Sequence, residues 1–171
     1  MLEVTSSDIL ATTWRLEAQM RRSKLFAAFG LFAVVMCAAD NPFLGAWKLN
    51  NAKSKFSPGT ERGTNYIMTF EQIGDQVKRT DTGTSPDGKP IDRSMFTRWD
   101  GVDHDLGTPG LTYAVKRINT RTVEVTLKRE GTVFEVHYLS ISPDGKTMTL
   151  TSKGVNIGGL KVDNTVIYEK K

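Results

Sequence analysis

His104 and His137 are the only imidazoles in 171 residues, and Cys37 is the only thiol. A nucleophilic Ser, Thr or Cys needs a base beside it, so His-based catalysis has two places where it could be built. The hairpin register derived below points His137 outward, beside Glu135 and opposite Glu124. His104 lies in WDGVDHDLG, residues 99 to 107, where Asp100, Asp103 and Asp105 surround it at spacings that fit neither a zinc site nor a calcium loop. No Asp or Glu falls on an inward, apolar-flanked position that would tune its pKa. The expectation is therefore a chain that is not an enzyme, with no catalytic residue, no metal site and no cofactor. Neither His sits on an inner strand face where it could hold haem.

Recognition is better supplied than catalysis. By strand alternation Arg79 shares a face with Val77, and Arg93 shares one with Ile91, Met95 and Trp99. A three-residue loop after Ile118 places Arg117 with Tyr113 and Val115, opposite Val123, Val125 and Leu127. An interior Arg must be paired, and an anionic ligand head group is one partner. Internal acids, water or a place at the rim are the others. Tyr138 and Tyr168 are expected on the same inner face as Tyr66, packing the core or lining a cavity. Arg79, Arg93, Arg117, Tyr113, Tyr138 and Tyr168 form the candidate ligand-binding set.

These residues need strands to carry them. From Asp40 onward the chain alternates in short segments punctuated by Gly, Pro, Asp and Asn, with no helical period. Strands are expected near 43 to 50, 64 to 72, 76 to 82, 90 to 99, 111 to 118, 122 to 130, 132 to 141, 146 to 153 and 161 to 170. A two-residue turn at Glu130 and Gly131 sets Leu127 opposite Phe134, Val125 opposite Val136 and Val123 opposite Tyr138. SPDGK at 142 to 146, read as a three-residue loop, sets Tyr138 opposite Leu150 and Ser140 opposite Met148. SPDGK recurs at 85 to 89 in unrelated surroundings, as a reused turn. The fold class is all-β: one antiparallel up-and-down β-barrel of eight to ten strands, closed so that no edge is exposed.

Upstream of that domain, MRRSKLFAAFGLFAVVMCAAD starts basic (Arg21, Arg22, Lys24), continues apolar from Leu25 to Met36 and ends small at Ala38 and Ala39. That is the order of a secretory signal peptide, and an apolar run of about a dozen residues is short of the roughly 20 that span a bilayer. Met36 is bulky where lipoprotein processing at Cys37 wants a small residue. The expected organisation is an upstream extension over 1–19, a signal peptide over 20–39 that leaves Asp40 first, and the barrel over 40–171. Leu16, Glu17 and Ala18 can be encoded CTG GAG GCN, a purine-rich ribosome-binding sequence in front of Met20 as the true initiator. The protein is expected to be periplasmic or secreted, without a permanent membrane anchor and monomeric.

Without its first 39 residues the chain keeps 19 basic and 16 acidic side chains, a net charge of +3. No basic block accompanies that charge, which argues against nucleic acid as a partner. The sole cysteine leaves with the leader, so no disulfide is available and the core must supply stability.

Phe43, Gly45, Trp47 and Leu49 resemble the Phe-x-Gly-x-Trp-x-Leu first strand of the fatty-acid-binding proteins and, more distantly, the Gly-x-Trp of the lipocalins. VIYEKK, residues 166 to 171, is similar to the Tyr-Glu-Lys close of the fatty-acid-binding strand. The likeness covers the first and last strands and the strand count, and extends to small secreted lipocalin-like proteins of bacteria. A Trp closing one end of a barrel needs the backbone to bend close to it, which Gly permits.

Three departures qualify the resemblance. The Arg that holds a lipid carboxylate two residues before the terminal Tyr is Val166 here. Asn51 to Gly63 is too short for the family's two-helix lid. The late Arg that lipocalins pack across the Trp is absent, so that Lys153 or Lys161 would have to stand in. The function this implies is an exported protein binding a small hydrophobic or amphipathic molecule inside its barrel. The alternative is a solid-core structural or interaction module of the cell envelope, and a barrel enzyme comes third.

Overall fold

The alternation becomes a meander of ten antiparallel strands in the computed structural model, which describes residues 41–171. The upstream extension, the leader with its cleavage site and Cys37 lie outside the described residues. The strands are β1 Gly45–Leu49, β2 Thr64–Ile73, β3 Gln76–Thr84, β4 Pro90–Thr97, β5 His104–Asp105, β6 Leu111–Asn119, β7 Thr122–Arg129, β8 Thr132–Ile141, β9 Thr147–Val155 and β10 Lys161–Lys170. Nine fall where alternation places them, within two residues at either end. The addition is β5, two residues paired to β6 through His104 opposite Tyr113.

Along the sheet the order is β4-β3-β2-β1-β10-β9-β8-β7-β6-β5, so chain neighbours are sheet neighbours and the first and last strands meet in the middle. The sheet curls into a half-barrel, gathering Trp47, Met68, Val77, Val115, Val123, Leu150 and Tyr168 into one core. The full closure expected from sequence is not made: β4 and β5 remain edges. Between β4 and β6 the chain passes Gly101, Gly107 and Gly110, all at positive φ, and turns too often to sustain a ladder. Side chains fill the seam instead. Tyr113 Oη donates to the Phe96 carbonyl at 3.4 Å, and Trp99 packs edge-on to Phe43 at 5.3 Å and to Phe70 at 6.2 Å.

The opening motif explains itself in this setting. Gly45 has φ +106°, a conformation that a side chain resists, although a Cβ there would meet nothing nearer than Lys170 Cε at 3.6 Å. The glycine is required by the bend. The bend lets the Trp47 indole N–H donate to the Phe43 carbonyl at 2.7 Å, so a fully buried Trp keeps a partner for its one polar atom. Lys170 Nζ lies 5.2 Å from the centroid of the Trp47 ring, a cation–π contact. The cation over the Trp is thus Lys170 rather than Lys153 or Lys161, because β1 pairs Trp47 directly with Lys170.

Residues 51–63 carry only a single turn of 3-10 helix, Asn51–Lys53. The segment is strapped to β10: Lys55 bridges Thr165, and the buried Asn164 side chain accepts from Ser57 N at 2.7 Å and Thr60 Oγ1 at 3.1 Å. It therefore runs along the wall of the barrel, and delivers Arg62 to its interior.

The β7–β8 hairpin departs from its expected register. Glu130 and Gly131 form the two-residue turn, both with positive φ, and the first pairs, Arg129–Thr132 and Lys128–Val133, are as expected. A bulge then inserts Phe134. Beyond it Leu127 faces Glu135, Val125 faces His137, Glu124 faces Tyr138 and Val123 faces Leu139. One extra residue exchanges the two faces of a strand. Tyr138 and Ser140 thus leave the inner face, whereas Glu135, His137, Leu139 and Ile141 enter it. The next turn is longer than expected: Ser142 N donates to the Thr147 carbonyl at 2.9 Å, a four-residue loop that sets Leu139 opposite Leu150 and Ile141 opposite Met148.

Gly154 accommodates the bulge. It pairs with Glu135 at φ +132°, and a Cβ there would lie 2.1 Å from the Phe134 carbonyl oxygen and 2.8 Å from Glu135 Cα. Gly154→Ala is therefore expected to destabilise the protein by about 2 kcal/mol or more. Gly74→Ala, at φ +60° with open space around it, is expected to cost about 1 kcal/mol. Urea denaturation of the two variants tests the ranking, and equal costs would contradict it.

Candidate functional site

The curled sheet leaves a cavity of about 430 Å³, a size typical of small-molecule sites. Its apolar wall is made by Phe70, Met95, Trp99, Tyr113, Val123 and Leu150, among others. Arg62, Arg79, Asp81, Arg93 and His137 also face it. A second, more polar recess of about 450 Å³ shares Arg62, Arg93 and Ile157 with the first and reaches Tyr66, Glu135, Ser152 and Asn164.

Three arginines and one carboxylate form the polar centre. Arg79 Nε and Nη2 donate to the two Asp81 oxygens at 2.8 and 2.9 Å, a bidentate pair. Arg93, opposite Asp81 on β4, adds an Nε bond to Asp81 Oδ2 at 3.1 Å. The buried Tyr66 hydroxyl accepts from Arg79 Nη2 at 3.3 Å and from Arg62 Nη1 at 3.5 Å, while the Arg62 guanidinium lies 5.7 Å from the Tyr66 ring centroid. Within this group three guanidinium charges meet one carboxylate, which leaves a positive excess.

Burial by itself would push Asp81 up, but the charge and hydrogen bonds of Arg79, with Arg93 behind them, hold it below the ordinary carboxylate value. Burial likewise works against the charge on Arg79, and Asp81 more than offsets it, so the guanidinium stays protonated. Tyr168 is fully buried, its pKa is pushed up to about 12 chiefly by burial, and its hydroxyl has no hydrogen-bond partner. At neutral pH it is an unused donor.

A second polar feature faces the interior from β8. Glu135 is buried, and its Oε1 lies 2.8 Å from His137 Nε2. The buried Nε2 makes no well-angled hydrogen bond. Ser152, also buried, is opposite His137 on β9. The expectation that no acid or His points inward is thus corrected at Asp81, Glu135 and His137.

Of the six candidate ligand residues the structure brings together Arg79, Arg93 and Tyr113 on the cavity wall, with Tyr168 buried close to Tyr66 at 6.3 Å between ring centroids. Arg117 is elsewhere. Its guanidinium lies 5.2 Å from the Trp99 ring centroid and 5.9 Å from that of Phe43, capping the aromatic end beside a separate recess. Tyr138 lies on the outer face opposite Glu124, 43% exposed. Phe43, Trp47 and Leu49 are buried in the core, as a structural motif should be.

His104 Nε2 is 3.0 Å from both Asp100 oxygens, Asp103 pairs with Lys128 at 2.7 Å, and Asp105 accepts from Gly107 N at 2.6 Å. These acids are occupied in turns and ion pairs. Among the described residues no group of three or more His, Cys, Asp or Glu side chains is arranged to hold a metal ion.

The sequence expectation passed over Asp81, although it is two residues from Arg79 on an expected strand and hence on the same face. Arg62 sits in a loop without periodicity and had no such signal.

No protein-family model matches the chain, and no curated protein matches it in sequence. Solved structures do. The wild-type fluorescent protein UnaG superposes with a TM-score of 0.54 at 15% identity, over 75% of this chain and 97% of that one. A point mutant of UnaG gives 0.54 at 14%, over 76% and 96%. A Schistosoma mansoni fatty acid binding protein in complex with arachidonic acid gives 0.49 at 14%, over 76% and 96%. The chain shares the fold of UnaG. At these identities the likeness is one of architecture, and function has to be argued from the site.

Asp81→Asn is expected to lower stability by about 3 kcal/mol at neutral pH, because Arg79 stays buried without its partner. The folded pKa of Asp81 is below the ordinary 3.8, so its contribution is complete above that value and is lost as pH falls through the lower folded pKa. Denaturation of both proteins across pH should show a gap that is constant down to about pH 4 and narrows below it. A gap already closing near pH 6 would contradict this assignment.

Proposed function

We propose that this is an exported lipocalin-like protein that binds a small amphipathic molecule with an anionic head group. One observation carries the reading: an apolar cavity into which Arg62, Arg79 and Arg93 project, with Arg79 and Arg93 sharing one carboxylate, Asp81. Arg79 is already paired with Asp81, whereas Arg62 and Arg93 keep donors that Asp81 does not take, and an anion accepted between those two would complete the set. The apolar wall would take the tail, where burial contributes roughly 25 cal/mol per Å² before the opposing costs of binding. A cavity of about 430 Å³ favours this over a solid-core envelope module. The proposed role is non-enzymatic: among the described residues no hydroxyl donates to His137 in a hydrogen bond that would mark a nucleophile.

The Arg missing at Val166 has a functional counterpart in this reading. Val166 is buried on β10, and the cationic clamp is supplied by β3, β4 and the strap before β2. Export rests on the basic, apolar and small order of residues 20–39, and places the protein in the periplasm or outside the cell.

Calorimetric titration with dodecanoate and its methyl ester, which have the same chain with and without the charge, tests the clamp. The acid is expected to bind at least about tenfold more tightly, and Arg93→Gln, a change at an exposed side chain, to remove most of that preference. Equal binding of acid and ester, or binding of neither, overturns the reading. For export, N-terminal sequencing of the protein from its own host is expected to begin at Asp40, and a start at Met20 or Met1 would refute cleavage.

A further inference from the structure

The bulge at Phe134 turns two ionisable side chains inward. Glu135 is 7% exposed, and among the described residues no Arg or Lys nitrogen lies within ion-pair range of its carboxylate. Its close partner is His137 Nε2, at 2.8 Å but without a well-angled hydrogen bond. A buried nitrogen left without a proper partner is costly and calls for an explanation. Gly154 is shaped to permit the arrangement, so it is built into the backbone.

His137 faces the same cavity as Arg79 and Arg93. His137 reaches the cavity from β8 and Arg79 from β3, and Val125, Leu139 and Leu150 line the cavity beside His137. Glu135 opens onto the adjoining recess with Ser152 and Asn164. A group that meets both members of the pair must donate to the carboxylate and stand beside an imidazole that can donate or accept. A hydroxyl does both. A second carboxylate would be repelled by Glu135, and a methylene would leave both polar groups unsatisfied.

We propose that Glu135 and His137 form a second polar subsite that recognises a hydroxyl on the ligand. The ligand class is then a hydroxylated amphipathic acid rather than a plain alkyl acid. The inference rests on the anion-binding reading above and narrows its ligand. Specificity comes from the penalty of leaving the pair dry: a ligand without the hydroxyl displaces water from Glu135 and His137 and returns nothing.

The test uses the described protein with dodecanoate and a set of its hydroxy derivatives, substituted at mid-chain positions and at the ω carbon. At least one hydroxy acid is expected to bind about tenfold more tightly than dodecanoate. His137→Phe is expected to abolish that preference, bringing dodecanoate and the preferred hydroxy acid within about twofold of each other. Glu135→Gln, which keeps size and hydrogen bonding, is expected to retain part of it. Near-UV circular dichroism and urea denaturation establish that each variant is folded. If dodecanoate binds but no hydroxy derivative binds more tightly, or if the preference survives in both variants, the subsite is overturned and the anion clamp stands. If dodecanoate is not preferred to its methyl ester, the clamp fails and the subsite falls with it.

Discussion

A strand has two faces, and the residue inserted at Phe134 decides which face of β8 looks into the barrel. With the insertion, Leu139 and Ile141 are buried against Leu150 and Met148, each aliphatic side chain contributing about 1.5–3 kcal/mol. The same step brings Glu135 and His137 inside and sends Tyr138 out beside Glu124. Apolar burial at the far end of the strand thus drives ionisable groups into the near end. The polarity of the cavity follows from that exchange.

The second constraint is electrostatic. Arg79 cannot be buried alone, and Asp81 accompanies it through two hydrogen bonds in a fixed fork. Arg93 and Arg62 then add charge that the one carboxylate does not match, and Tyr66 distributes hydrogen bonds among them. An interior of this kind is not a stable core by itself. Its excess charge faces a cavity, where water or a ligand can answer it.

Architecture and site are joined by how the sheet fails to close. The loop from Arg98 to Gly110 leaves β4 and β5 as edges, and Trp99 fills the seam from Phe43 to Phe70. Trp99 also separates the cavity from the smaller recess where Arg117 stacks. One aromatic side chain therefore seals one end of the barrel while the strap, tied to Asn164 on β10, leaves the other without a helical lid.

Alternation alone determined nine strands, the meander, the inward direction of Arg79 and the packing of Tyr113, Val115 and Arg117 on one face. These are local consequences of a period of two and of turn residues, and they are legible wherever no residue is inserted. Gly45 before Trp47 was legible as a bend, and the tertiary structure added its purpose: the Phe43 carbonyl that the indole needs.

The bulge was not legible, since the turn at Glu130 and Gly131 is correct and the parity changes only after it. Gly154, the residue that permits the change, lies on the next strand. The length of the SPDGK loop was likewise set by the need to keep Met148 and Leu150 inside. Only tertiary packing decided that Arg62 would join the cluster, that Arg117 would not, that His137 would face the cavity and that Glu135 would face the adjoining recess. The reason is physical: alternation fixes relative facing within an unbroken strand, whereas the absolute face is chosen by which side chains the assembled core can bury.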